Sequence, residues 1–359
     1  MKLPRITILA TLLLTAPAAA QLQITPPVAT PGAVPEKQKP KPAPAAKKEA
    51  APAPKPSASP KPAASPKPAL PATVIPAPAA DNPNVDLVFG AYQRGQYKTA
   101  FDLATARAQA GDPKAMTMLG ELYSNAMGIR RDYAKALEWY KRAADAGDRD
   151  AMFALAMLRI SGRGGSVDKS EAVKLMASAA KLGEPKAAYN LALLYLDGQT
   201  LPQDVKRSAE LLRQAADAGL PEAQYALATF YKEGTGVPKD PERSVRLLQA
   251  ASLADNVDAE VEYAIAMFNG TGTPKNQPAA VALLRKASRQ GSAIAQNRLA
   301  WVLINGLGTS VDKVEGFKWH LVAKTAGKGD PELDKQLSDL PAEDRGKAEA
   351  AARKWLGTK

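Results

Sequence analysis

The stretch Asp112–Gly147, DPKAMTMLGELYSNAMGIRRDYAKALEWYKRAADAG, decides the fold. Asp112-Pro113 has the form of a helix start, with Asp as the cap and Pro at the first helical position. Ala115, Met118, Leu119, Leu122 and Tyr123 then fall on one face at helical spacing. After a short loop Asp132 opens a second helix, whose apolar face is Ala136, Trp139, Tyr140, Ala143 and Ala144. Gly147 ends it, because glycine takes the left-handed conformation past a helix end without steric cost. The spacing predicts a helical hairpin. Small side chains at Ala115 and Ala143 let its two helices approach closely, and the bulk at Leu119, Tyr123, Trp139 and Tyr140 fills the space to the next hairpin.

The same pattern returns every 36 residues. Glycine recurs at Gly111, Gly147, Gly183, Gly219, Gly291 and Gly327, with Asp255 in the one missing slot. Ala115, Ala151, Ala187, Ala223, Ala259 and Ala295 recur in step. Asp148, Asn256 and Ser292 hold the first cap slot, and Pro185 and Pro221 the proline slot. Asp168, Asp204, Asp240, Asn276 and Asp312 hold the second cap slot. Asp168 with Glu171, and Asp312 with Glu315, are expected to complete capping boxes, each acid lying three residues after its cap. A lone hairpin cannot bury both of its faces, so neighbours must stack. The fold class that follows is all-α, a solenoid of αα-hairpins: six 36-residue units over 112–327, N-terminal capping helices over 84–111 and C-terminal capping helices over 328–359.

The pattern Ala-x3-Leu-Gly-x2-Tyr, Gly-x-Gly-Val-x2-Asp and Ala-x2-Trp-Tyr-x2-Ala-Ala-x2-Gly resembles the Sel-1-like repeat, a relative of the tetratricopeptide repeat. It is carried best by Ala115–Tyr123 with Ala136–Gly147, and by Gly234–Val237 with Asp240. The resemblance implies a right-handed superhelix whose concave face binds protein partners. Three positions depart from the pattern: Ala126 and Thr200 in two loops, and Asp255 at a helix end. Local turn geometry is in question there, not the fold.

The flanks differ in composition. Residues 1–20 read as a signal peptide: Lys2 and Arg5, an apolar run from Ile6 to Leu14, and Ala18-Ala19-Ala20 as the cleavage site. Cleavage after Ala20 is the favoured reading, with retention as an inner-membrane anchor as its alternative. No second apolar run reaches the roughly 20 residues of a membrane span, so no span is expected in the mature chain. Residues 21–83 hold 18 of the 30 prolines and carry eight lysines against three acids. Such a Pro/Ala/Lys-rich linker is expected to be disordered and extended, because it has too little apolar surface to offset chain entropy. It serves either as a spacer or as an arm attracted to anionic envelope material. The chain has no cysteine, which excludes disulfides, thiolate metal sites and a lipid-bearing cysteine. Of the net +12, only +5 falls on residues 84–359, too mild for a nucleic-acid footprint, and no nucleic-acid partner is expected.

Motifs that invite a chemical reading have structural explanations. Gly162-Arg163-Gly164, Gly234-Thr235-Gly236, Gly270-Thr271-Gly272 and Gly306-Leu307-Gly308 lack the third glycine and βαβ setting of a dinucleotide site. They share one inter-helix loop slot and read as turns. Ser166–Lys169 and Ser310–Lys313 match Ser-x-x-Lys but are one slot seen twice, without the companion motifs of a penicillin-recognising enzyme. His320, the only histidine, stands in the Tyr140 slot and reads as a core-edge residue. Carboxylates such as Glu210 with Asp217, or Asp240 with Glu242, read as solvated faces and caps. Arg285, Lys286 and Arg289 give one helix a positive face. No catalytic, cofactor-binding or metal-ligating residue is assigned, and no cofactor is expected.

The functional expectation is a non-catalytic protein-interaction scaffold, adaptor or regulator in the bacterial cell envelope, periplasmic or secreted. A tether binding cell-wall glycan or an anionic polymer through the basic arm is the alternative. A hydrolase with its site in the groove is a distant third.

Overall fold

The computed structural model describes residues 86–357, and among them every regular element is an α-helix. The expected signal peptide (1–20) and linker (21–83) lie outside the described residues. A short opening pair, α1 (Leu87–Gln93) and α2 (Tyr97–Gln109), precedes six full pairs. These are α3 (Pro113–Asn125) with α4 (Tyr133–Asp145), α5 (Arg149–Ser161) with α6 (Lys169–Lys181), and α7 (Pro185–Asp197) with α8 (Val205–Asp217). Next come α9 (Pro221–Glu233) with α10 (Pro241–Leu253), α11 (Val257–Asn269) with α12 (Gln277–Arg289), and α13 (Ala293–Asn305) with α14 (Lys313–Thr325). Two further helices, α15 (Pro331–Ser338) and α16 (Ala342–Gly357), close the stack, and α16 packs on α14. Each helix packs on the one before and the one after it through the six pairs, the connectivity of a solenoid.

The turns repeat as faithfully as the helices. At the end of each second helix the N–H two residues beyond the cap reaches back five residues, from Asp148 to the Ala143 carbonyl at 3.0 Å and from Ser292 to Ala287 at 3.1 Å. Asp255, in the glycine slot, takes the same left-handed backbone at φ 58°. That conformation costs an L-residue about 1–2 kcal/mol, and Lys286 pairs with its carboxylate at 3.1 Å. Within each unit, the N–H of the second cap bonds the carbonyl nine residues back: Asp132 to Tyr123 at 3.1 Å, Asp168 to Arg159 at 3.0 Å, Asp312 to Leu303 at 2.9 Å. This bond changes the expected capping boxes. Asp168 and Asp312 do cap, accepting from the Glu171 and Glu315 N–H groups at 2.8 and 3.0 Å. The reciprocal half is not needed, because each cap N–H is already bonded. Glu171 pairs instead with Arg159 at 2.9 Å, and Glu315 accepts from the Trp319 indole at 2.8 Å.

The glycine dyads form the contact between units. The second glycine rests on the first turn of the preceding second helix with no room for a side chain. A Cβ at Gly164 would lie 2.4 Å from the Tyr133 oxygen, and one at Gly272 2.3 Å from the Pro241 oxygen. Both have positive φ, 78° and 70°. Of the two loop departures, Ala126 adopts the left-handed turn at φ 58° anyway. Thr200 does not, and its loop closes through side chains, with Gln203 donating to the Leu196 carbonyl at 2.9 Å.

Small residues set the spacing inside a pair. A Cβ at Gly120 would strike the Tyr140 ring at 2.5 Å; Ala156, Ala192, Ala228, Ala264 and Ala300 hold that slot in later units and are wholly buried. The core is a row of such contacts running from Val88 to Ala352. One slot in it is polar. Gln224 and Gln296 donate side-chain N–H groups to the carbonyls of Ala216 and Ser288, eight residues back, at 3.3 and 3.1 Å. Glu260 occupies the same slot, is wholly buried and has no such N–H. Burial pushes its carboxyl above the usual range, against the pull of Lys286, whose Nζ stands 3.4 Å away.

Two outcomes follow. Gly272→Ala adds the left-handed cost to a backbone clash and should lower stability by about 2 kcal/mol or more. Gly147→Ala, with open space around its φ of 91°, should lose only about 1–2 kcal/mol. Urea unfolding read by circular dichroism compares the two, and equal losses would contradict the docking role. Glu260→Gln should gain about 1 kcal/mol at neutral pH by supplying the missing donor toward the Ser252 carbonyl. Because the folded-state pKa of Glu260 is raised, the ionised form weakens the native state above that pKa and ceases to do so as pH falls below the unfolded value. The variant's advantage should therefore shrink between pH 7 and about pH 4; an advantage that is constant with pH would refute this reading.

Candidate interaction surfaces

The first helices of successive units communicate directly. Lys114 in α3 reaches Asp150 in α5, one repeat onward, at 2.7 Å, and also the Asp148 cap at 2.8 Å. Lys232 in α9 pairs with Glu262 in α11 at 2.9 Å, and the Trp301 indole in α13 donates to Asp330 at 2.9 Å. Helices α3 and α5 also touch, which puts first helices on the inside of the stack. Between these polar ends lies an apolar stretch. Phe153, Tyr189 and Tyr225 share one slot, with Met157 and Leu193 four residues after the first two. The three rings are half-buried, and neither tyrosine hydroxyl has a hydrogen-bond partner among the described residues. Burial pushes both hydroxyls up; Glu222 adds to this at Tyr189, Glu262 and Asp258 at Tyr225.

A second surface lies on the loop edge of the first two units. Tyr123, Tyr133, Ile129, Arg130, Arg131, Asp132 and Lys135 line an open cleft of about 550 Å³. The guanidinium of Arg131 lies 5.8 Å from the centre of the Tyr133 ring, and that of Arg163, from the next loop, 5.5 Å. Lys135 stands 5.4 Å from the Tyr123 ring. The docking of Gly164 on Tyr133 brings Arg163 there. Later along the edge, Arg213 and Arg243 both donate to the Tyr231 hydroxyl, at 3.2 and 3.5 Å. Burial acts to raise that hydroxyl, but the two guanidiniums hold it below its ordinary range.

The residues singled out in the sequence fall elsewhere. His320 is wholly buried rather than at the core edge; its Nε2 lies 2.9 Å from Asp334 of α15, and Lys324 reaches the same carboxylate at 2.7 Å. It thus fixes the closing cap to the last unit. Ser166 and Ser310 sit on exposed loops while the aspartates between them and the lysines cap helices. Glu210 pairs with Arg207 at 2.7 Å and Asp240 with Arg243 at 3.1 Å. The expected positive face on α12 is partly neutralised, because Lys286 is paired with Asp255 and Glu260. Among the described residues no cluster of three or more His, Asp or Glu could hold a metal, and no helix is long and apolar enough to cross a membrane.

The chain matches the family model described as Sel1 repeat six times, at residues 113–148, 149–184, 185–220, 221–256, 257–292 and 293–328. No curated protein matches it. Among solved structures it is similar to c5321, a protective antigen present in uropathogenic Escherichia coli strains displaying an SLR fold, with 27% identity and a TM-score of 0.64. That match covers 72% of this chain but 56% of the other, so the chain spans little more than half of that protein. It is also similar to a Sel1 repeat protein from Oxalobacter formigenes, with 27% identity and a TM-score of 0.60 over 67% of this chain and 98% of that one.

Proposed function

The chain belongs to the Sel1 repeat family, and we propose that it is a non-catalytic scaffold of the bacterial cell envelope that holds a partner protein along the face lined by its first helices. The observation that carries this reading is the row of Phe153, Tyr189 and Tyr225. The rings repeat at unit spacing, are only half-buried, and the tyrosines keep unpaired hydroxyls. Rigid aromatic groups with a polar tip bury large area at little entropic cost, which suits them as binding anchors. The envelope location is supported by the Lys2/Arg5, Ile6–Leu14 and Ala18–Ala20 pattern of a secretory signal.

A photoreactive phenylalanine analogue at position 189 of the full chain tests the reading in whole cells. It should cross-link one defined protein, found in the periplasmic fraction on a chain that now begins at Gln21. The same probe at Leu253, 82% exposed at the end of a second helix, should give no such adduct. Equal labelling from both positions, or none from position 189, would count against the inner face. Retention on purified cell wall, reversed by salt, would instead favour the tether.

A further inference from the structure

Four cations on the loop edge stand without a counter-charge. Arg130, Arg131, Lys135 and Arg163 make no ion pair among the described residues, whereas Arg159, Arg207 and Arg243 each pair with a nearby acid. The one acid in the cleft, Asp132, is committed to capping α4 through the Lys135 N–H at 3.0 Å. Two guanidiniums flank the Tyr133 ring, at 5.8 and 5.5 Å. An arginine held against a ring loses less freedom on binding and still offers its N–H fork, which matches a carboxylate bidentately. The tyrosine rings and Ile129 give the cleft an apolar wall, and about 550 Å³ accommodates a short segment of chain.

We propose that the cleft at the first loop, with Arg163 of the next loop at its edge, binds an acidic peptide segment, bearing an aromatic or aliphatic side chain, of a partner protein. This rests on the scaffold reading and adds a second point of contact away from the first-helix face. Charge excludes the chain's own residues 21–83 as the occupant, since they carry eight lysines against three acids. The apolar wall favours a peptide over a plain polyanion, which has nothing to place against it.

The probe is a fluorescein-labelled short peptide alternating Glu and Phe, titrated with the full chain and read by anisotropy in about 50 mM salt. Saturable binding is expected, weakened about tenfold or more by the paired change Arg131→Gln with Arg163→Gln. Lys239→Gln with Lys275→Gln, which alters the Arg131 slot in two later loops, should leave it within about twofold. Both pairs lie on the surface, and circular dichroism checks their fold; Arg131→Lys with Arg163→Lys, keeping charge but not the fork, should bind between the two. No binding, an unchanged affinity in the first pair, or an all-Glu peptide binding as well as the mixed one would overturn the proposal. So would self-association of the chain that the first pair abolishes, which would assign the cleft to a second copy. An intact cross-link from position 189 in that same pair would show that the failure lies with the cleft and not with the scaffold.

Discussion

Backbone meeting backbone sets the register of this solenoid. At Gly164, Gly236 and Gly272 the loop of one unit rests on the first turn of the preceding second helix, with carbonyl oxygens 2.3–2.6 Å from where a Cβ would be. A contact of that kind tolerates no slippage. It fixes how far one hairpin is displaced from the last, and so which side chains of neighbouring units meet. Arg163 can cross to Tyr133 because the loop that carries it is seated there. Inside each pair the small residue in the Gly120 slot plays the corresponding part, admitting the Tyr140 ring of the facing helix. Apolar burial supplies the favourable free energy, and the small residues decide where it can be realised.

Much of this was legible in the sequence because the repeat is local. Caps, helix ends and apolar stripes depend on residues a few positions apart, and each recurs often enough to be read in phase. The features that escaped depend on bonds between units or on competition for one group. The reciprocal half of the capping box at Asp168 fails because its N–H is taken by the Arg159 carbonyl. His320 is wholly buried because α15 folds back and brings Asp334 to it. The positive face at Arg285, Lys286 and Arg289 weakens because Lys286 answers Asp255 and Glu260.

The candidate surfaces were legible to different degrees. The aromatic slot of Phe153, Tyr189 and Tyr225 was passed over in the sequence, although its signal is there: the same position is ring-bearing in three successive units. The cleft around Tyr133 is not. Arg131 and Arg163 lie in different slots of successive loops, and only the seating of one loop on the next brings both to a single ring. The sequence shows only that Arg130, Arg131 and Arg163 fall in the first two loops. Family membership gives the architecture; the particular distribution of rings and charges is this chain's own.

The central claim is that 36 residues form one interchangeable physical unit with a continuous seam to its neighbours. Excising residues 185–220 joins Glu184 to Pro221 and leaves every slot in phase. Urea unfolding followed by circular dichroism should then show a cooperative transition, with the helical signal reduced in proportion to the helices removed. Excising half a unit, residues 203–220, should abolish that cooperativity, because the loops no longer find their seats. If the whole-unit deletion unfolded as completely as the half-unit one, the repeat would not be the structural unit.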